Sequence, residues 1–162
     1  GRMIGHWAVS FLLSLAAFAA AIAGAMAVVL GSSLASGRPA DWAFATLLFW
    51  MGCAGLIAGL STKRSPALIP LVAGWTLPII VLFALTGPIA PDSVWAGHIE
   101  RIVKISWFVT LPVVGMLSQL YGAAVRRDAA PVRAWLFVLA LFALTAGYHV
   151  ALSTLNSVYP HR

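Results

Sequence analysis

Residues 42–86 read WAFATLLFWMGCAGLIAGLSTKRSPALIPLVAGWTLPIIVLFALT. Two apolar runs, 42–60 and 66–86, are joined by the polar residues 61–65. Each run is close to the roughly 20 apolar residues that a helix needs to cross the hydrocarbon of a bilayer. Because the connection has room only for a tight turn, this stretch predicts two antiparallel transmembrane helices.

The same pattern extends over the rest of the chain, with further apolar runs at 7–30, 105–125 and 134–155. Of the 162 residues, 62% are hydrophobic and 9% are charged, and the mean hydropathy is +0.97. A soluble domain usually carries about 25% charged residues. The sequence therefore predicts an all-α, polytopic bundle of five transmembrane helices, forming a single domain over residues 1–162.

The distribution of Lys and Arg predicts the orientation of this bundle, because cytoplasmic loops are enriched in both. With five spans the N-terminus shares one face with the two connections rich in cations, so we expect a cytoplasmic N-terminus. The setting that fits best is a bacterial cytoplasmic (inner) membrane. The expected inner face carries Arg2, Lys63, Arg64, Arg126, Arg127 and Arg133, and the outer face carries Arg38, Arg101, Lys104, Arg162, Asp41, Asp92 and Glu100.

The formal net charge of +6 does not indicate a nucleic-acid partner, because the cations are scattered over loop ends and form no basic face. The bilayer itself is the expected partner. The longest connection, 87–104, is predicted to lie outside the cytoplasm. Its residues Val94, Trp95, His98, Ile99 and Ile102 share one helical face, which predicts a short interfacial helix running into the fourth span.

Small residues at four-residue spacing predict where the helices approach one another closely. The simplest interpretation is packing within one chain, and the alternatives are a homodimer through Gly55 and Gly59 or contacts with other membrane subunits. Prolines 70, 78 and 112 fall inside predicted spans and can kink them. Trp50 and Trp75 are expected between helices. The small-residue stripes are Ala17–Ala21–Ala25, Gly55–Gly59, Gly115–Ser118–Gly122 and Ala143–Gly147–Ala151.

The fifth run carries the most informative polar pattern, Thr145, His149, Ser153 and Asn156, which forms a single stripe at about 100° per residue. An ionisable side chain inside a span is a functional candidate, and His149 is therefore the centre of the predicted ligand-binding site. The alternative is that these groups only hydrogen-bond neighbouring helices. The predicted site, in the outer half of the bundle, consists of His149, Thr145, Ser153, Asn156, Tyr148, Thr110 and Ser106.

No Asp or Glu falls inside a predicted span, and the HExxH, GxSxG and P-loop motifs are missing from the sequence. We therefore expect a small non-catalytic membrane component, such as a transporter subunit, carrier or accessory protein. A second hypothesis is a membrane anchor of an electron-transfer complex that binds haem b or quinone through His149. A third is an intramembrane enzyme that uses His149 as a base, with Tyr148, Ser153 or Glu100 nearby.

Overall fold

The computed structural model describes residues 2–36, 43–62, 64–86 and 98–158. All regular secondary structure within these ranges is helical, as the sequence predicts. Each predicted apolar run either lies inside one helix or matches its ends to within a few residues. The five helices are α1 (Arg2–Ser36), α2 (Ala43–Ser61), α3 (Leu68–Thr86), α4 (His98–Arg127) and α5 (Pro131–Val158).

Two helices are long and apolar enough to cross a membrane by length and composition, counting only the described residues. They are the segment Arg2–Ser32 of α1 and the segment Pro131–Ala151 of α5. The apolar parts of α2 and α3, Ala45–Ser61 and Leu68–Val81, are shorter. The described residues thus contain two candidate spans, which is fewer than the five that the sequence predicts.

Helices α2 and α4 form the central pair of the bundle, and glycines allow their backbones to approach closely. A Cβ at Gly122 would lie 2.5 Å from the carbonyl oxygen of Leu56, and a Cβ at Gly55 would meet the carbonyl oxygen of Gly115. A side chain at Gly59 would likewise collide with the backbone of α4. The Gly55–Gly59 face therefore packs against α4 of the same chain.

Helices α1 and α3 pack together on one side of this pair. Ala17, Ala21 and Ala25 are buried on the α1 face that the small-residue pattern predicts. Trp75 of α3 is fully buried, as expected, and its ring meets that of Phe18 edge to face with the centroids 6.2 Å apart. Large aromatic rings therefore fill the space that the alanines leave.

Trp50 of α2 also packs between helices, because a Cβ on Gly24 of α1 would lie 2.6 Å from its ring. The indoles of Trp7 and Trp135, near the beginnings of α1 and α5, are exposed. Trp50 thus lies between helices, as the sequence predicts.

Helix α5 lies on the other side of the central pair. Leu141 packs onto Gly52 of α2, and the ring of Phe137 stacks on that of Tyr121 of α4 at 4.9 Å. The prediction that the small stripe of α5 packs in the bundle is wrong: Ala143, Gly147 and Ala151 are exposed, and nothing lies within 4 Å of a Cβ built on Gly147. The larger side chains of α5 occupy the interface instead.

The helix ends follow ordinary capping chemistry. Helix α4 closes with the amide of Ala130 donating to the carbonyl of Val125 at 3.2 Å, and Ala129 between them is left-handed with a φ of 51°. Pro131 then begins α5, where a missing N–H costs nothing. The loop predicted over 126–133 is therefore shorter, because its first and last residues belong to helices.

The structure also describes the three predicted prolines and part of the 87–104 connection. Pro70 lies in the first turn of α3 and needs no hydrogen-bond partner there, whereas Pro78 and Pro112 are inside helices as predicted. Residues 98–104 are helical and form the first turns of α4, continuous with the predicted fourth span. Residues 87–97 lie outside the described part of the chain.

Candidate functional site

One residue of the predicted polar stripe of α5, Thr145, is buried in the bundle. Thr145 is only 5% exposed, and its hydroxyl donates to the carbonyl of Phe142 in the same helix at 2.9 Å. Tyr148 packs against the hydrophobic core, and His149 is half-buried. The face of α5 that carries these three residues is therefore directed at the bundle more than the opposite, small-residue face.

The other predicted site residues are only partly described. Thr110 of α4 is half-buried. The side chains of Ser106, Ser153 and Asn156 lie outside the described residues, although their backbones belong to α4 and α5. The structure therefore places Thr145, Tyr148 and His149 together on α5, with Thr110 on α4.

A haem ligated by His149 would need a second axial ligand at a similar depth. The other histidine side chain that the structure describes is His6, near the first turn of α1. His6 lies beside Thr62 and Arg64 at the end of the bundle where α2 finishes, whereas His149 lies on the part of α5 far from the α4–α5 turn. His6 is thus too distant to pair with His149.

The structure reveals a buried polar cluster that the sequence reasoning missed, with the side chain of Gln119 at its centre. Gln119 Oε1 accepts hydrogen bonds from the indole Nε1 of Trp75 at 2.7 Å and from the hydroxyl of Ser14 at 3.0 Å. All three side chains are fully buried. One amide of α4 thus joins α1 and α3, and we call Ser14, Trp75 and Gln119 the Gln119 cluster.

The orientation of the Gln119 amide follows from the chemistry of its neighbours. An indole N–H can only donate, so the atom facing Trp75 must be the amide oxygen rather than the nitrogen. The amide nitrogen Nε2 and the hydroxyl of Ser118 are then buried without a hydrogen-bond partner among the described residues. Such groups normally bind an internal water or another polar atom, because leaving them unpaired is costly.

Close packing of the backbone holds the Gln119 cluster in place. A Cβ on Gly74 of α3 would lie 2.6 Å from the Cβ of Ser14 and 2.8 Å from the carbonyl oxygen of Phe11. The ring of Trp75 covers Gly115, one turn before Gln119. Because the three helices meet where glycine removes the side chain, the short Ser14 hydroxyl can reach the amide.

The signal for the Gln119 cluster was present in the sequence. Gln119 stands in the middle of an apolar run, between Ser118 and Leu120, where an amide has to find partners within the protein. The small-residue stripe through Gly115, Ser118 and Gly122 passes directly beside it. The predicted site was centred on an ionisable residue, and the fully buried neutral amide of Gln119 was not part of it.

Comparison of the chain with protein-family models, with curated proteins and with solved structures found no match.

Proposed function

We propose that the chain is a small non-catalytic component of a bacterial cytoplasmic membrane, a transporter subunit, carrier or accessory protein. In this proposal the chain crosses the bilayer five times from a cytoplasmic N-terminus. It binds a ligand on the inward face of α5 around Thr145, Tyr148 and His149. The observation that carries the proposal is the distribution of polarity, with large apolar residues outside and hydroxyl and amide groups inside.

The apolar exterior supports the membrane part of this proposal. Large hydrophobic side chains are exposed on every helix, including Leu12 on α1, Ile57 on α2, Ile80 on α3, Leu117 on α4 and Leu139 on α5, each at least 60% exposed. Soluble monomers rarely expose contiguous apolar surface on such a scale. A lipid environment removes this surface from water without a partner protein.

The helix lengths also suit a bilayer. Helices α2 and α3 have 19 residues each, which corresponds to about 28 Å at roughly 1.5 Å per residue. The hydrocarbon core of a typical bilayer is about 30 Å thick. A helix of this length can cross the hydrocarbon when its last polar residues reach the interface.

The polar groups of the interior are of the kind that holds membrane helices together. The buried polar side chains among the described residues are the hydroxyls of Ser10, Ser14, Ser118 and Thr145 and the amide of Gln119. Neutral groups of this kind typically join membrane helices by hydrogen bonds.

The ligand-binding part of the proposal centres on His149 and can be tested with a matched pair of variants. His149→Ala removes the half-buried imidazole, and the control Val150→Ala removes apolar atoms from the neighbouring residue, which is 62% exposed. We expect native mass spectrometry of the detergent-purified protein to show a small-molecule adduct in the wild type and in Val150→Ala. We expect His149→Ala to lose that adduct without losing thermal stability.

Two results would contradict this assignment. An adduct that is still present in His149→Ala would place the ligand elsewhere. The lack of an adduct in the wild-type protein purified from membranes would contradict the proposal that a ligand is bound. An absorption spectrum of the same sample tests the electron-transfer alternative, because a Soret band with split α and β peaks would indicate a bound haem b. A quinone would instead be identified by its mass.

A further inference from the structure

An open cavity of about 490 Å³ lies at the end of the bundle where α1 begins and α2 connects to α3. Its lining includes Arg2, His6 and Val9 from α1 and Arg64 from the connection. This end is opposite to His149, so the cavity is distinct from the pocket proposed on α5. Its volume is in the range of about 300–1,000 Å³ that small-molecule sites occupy.

The walls of the cavity are held together by hydrogen bonds between helix and connection. The amide of Ala67 donates to the hydroxyl oxygen of Ser10 at 3.1 Å, and Ser10 is only 3% exposed. The hydroxyl of Thr62 donates to the carbonyl of Gly59 at the end of α2. Arg64 is therefore carried by a segment that is fixed against α1 on one side and against α2 on the other.

The cavity has a surplus of positive charge. Arg127 and Arg133, at the same end of the bundle, lie 3.9 Å and 3.3 Å from Asp128, the one acidic side chain that the structure describes. Arg126 donates to the carbonyl of Leu60. Arg2 and Arg64 form no ion pair within the described residues, so both guanidinium groups can bind an external anion.

The polarity of the cavity changes along α1. Arg2 and His6 lie at the beginning of the helix, whereas Leu13, which also lines the cavity, comes eleven residues after Arg2. At roughly 1.5 Å per residue, Leu13 is about 16 Å further along the helix axis. Cations at the open end and apolar side chains further in match a molecule with an anionic head and an apolar body.

We propose that this cavity binds a phosphate group, either the headgroup of an anionic phospholipid or a free phosphate. The guanidinium groups of Arg2 and Arg64 bind the phosphate oxygens, since a guanidinium matches phosphate geometry with two parallel N–H donors. His6 lies beside them as a further donor, and Val9 and Leu13 contact the start of an acyl chain. Basic pockets between membrane helices on the cytoplasmic side are a common place for such headgroups.

The test uses the full chain in a neutral detergent and titrates it with phosphatidylglycerol, phosphatidylcholine or inorganic phosphate, with native mass spectrometry to count bound molecules. We expect Arg64→Gln to weaken phosphatidylglycerol binding about fivefold and the double variant Arg2→Gln/Arg64→Gln about thirtyfold, from the usual contribution of one cation near an anionic surface. The control Arg127→Gln removes the same charge at the same end of the bundle, outside the cavity lining, and should change the affinity less than twofold.

The ligand series separates the two sources of phosphate. Saturable phosphatidylglycerol binding that phosphate does not displace assigns the site to a lipid headgroup, and saturable phosphate binding with the same sensitivity to Arg64→Gln assigns it to a free phosphate. Equal binding of phosphatidylcholine, equal losses in Arg127→Gln and Arg64→Gln, or no saturable binding of either phosphate ligand would overturn the inference. Because both cavity arginines are exposed, their variants should unfold at the wild-type temperature when no ligand is added.

Discussion

The hydrogen bond between Trp75 and Gln119 should contribute measurably to the stability of the bundle. Its 2.7 Å length and the full burial of both side chains place it among the stronger helix–helix bonds in this chain. Double-mutant cycles on membrane helices give such bonds an average of about 0.6 kcal/mol and a maximum of about 1.7 kcal/mol. We expect a coupling energy of about 1–1.5 kcal/mol between Trp75→Phe and Gln119→Leu.

The expected sign of the coupling energy follows from which polar group loses its hydrogen-bond partner in each single variant. Gln119→Leu strands the indole N–H of Trp75 in an apolar core, while the hydroxyl of Ser14 can turn to a carbonyl of its own helix. Trp75→Phe removes the donor, and Gln119 Oε1 keeps its hydrogen bond from Ser14. The double variant leaves no stranded indole, so it should lose less stability than the sum of the two single losses.

Reversible unfolding in mixed micelles, followed by far-ultraviolet circular dichroism, measures these free energies without depending on the tryptophan that is replaced. The control cycle pairs Gln119→Leu with Leu139→Ala, since Leu139 is 66% exposed on α5, away from the cluster. Its free energies should add to within about 0.5 kcal/mol. A coupling energy between Trp75 and Gln119 no larger than that of the control cycle would refute the claim that their hydrogen bond joins α3 to α4.

The remaining predictions concern backbone geometry. Gly59→Leu should abolish the folded fraction in size-exclusion and circular dichroism measurements, because the leucine side chain would enter the backbone of α4. Gly147→Ala, on the open face of α5, should instead raise the free energy of unfolding by up to about 1 kcal/mol through helix propensity. Equal effects of the two substitutions would contradict the α2–α4 contact. Ala129→Gly should raise the free energy of unfolding by about 0.5–1 kcal/mol, because glycine adopts the left-handed conformation at this position without steric cost. A loss of stability in this variant would contradict the α4–α5 turn.

The sequence predicts the five helices well because the signal is strong at the level of composition. Apolar runs separated by short polar connections leave few alternatives to helices, and a cation pair or a proline marks most ends. The inward faces of α1, α2 and α4 were also predictable. Ala17, Gly55 and Gly115 each belong to a predicted small-residue stripe, and all three lie at contacts between helices.

The face of α5 could not be chosen in the same way. Its apolar residues lie on all sides of the helix, so both the small stripe through Gly147 and the polar stripe through Thr145 were reasonable interfaces. The choice depends on the partner surface, where Gly52 of α2 leaves a depression that Leu141 fills. A contact between residues so far apart in the sequence is not encoded in the periodicity of either helix.

The buried polar contacts were harder still to predict, since hydrogen bonds in this bundle join side chains far apart in the sequence. The bond between Ser14 and Gln119 spans 105 positions. Neither residue has a spacing that distinguishes it, and only the meeting of α1, α3 and α4 gives them a common place. The basic cavity has the same origin, because Arg2 and Arg64 become neighbours only when the α2–α3 connection is fixed on α1.

The most direct test of the account is whether α2 crosses the membrane, since the other spans and the position of each site follow from it. Single cysteines at Ala35 and Ser65, in a Cys53→Ser background, would lie at the end of α1 and in the connection after α2. In spheroplasts of a bacterial host, a membrane-impermeant maleimide should modify position 35 at once and position 65 only after the membrane is permeabilised. Equal reaction of both positions from the outside would place them on one side and contradict the five-span bundle.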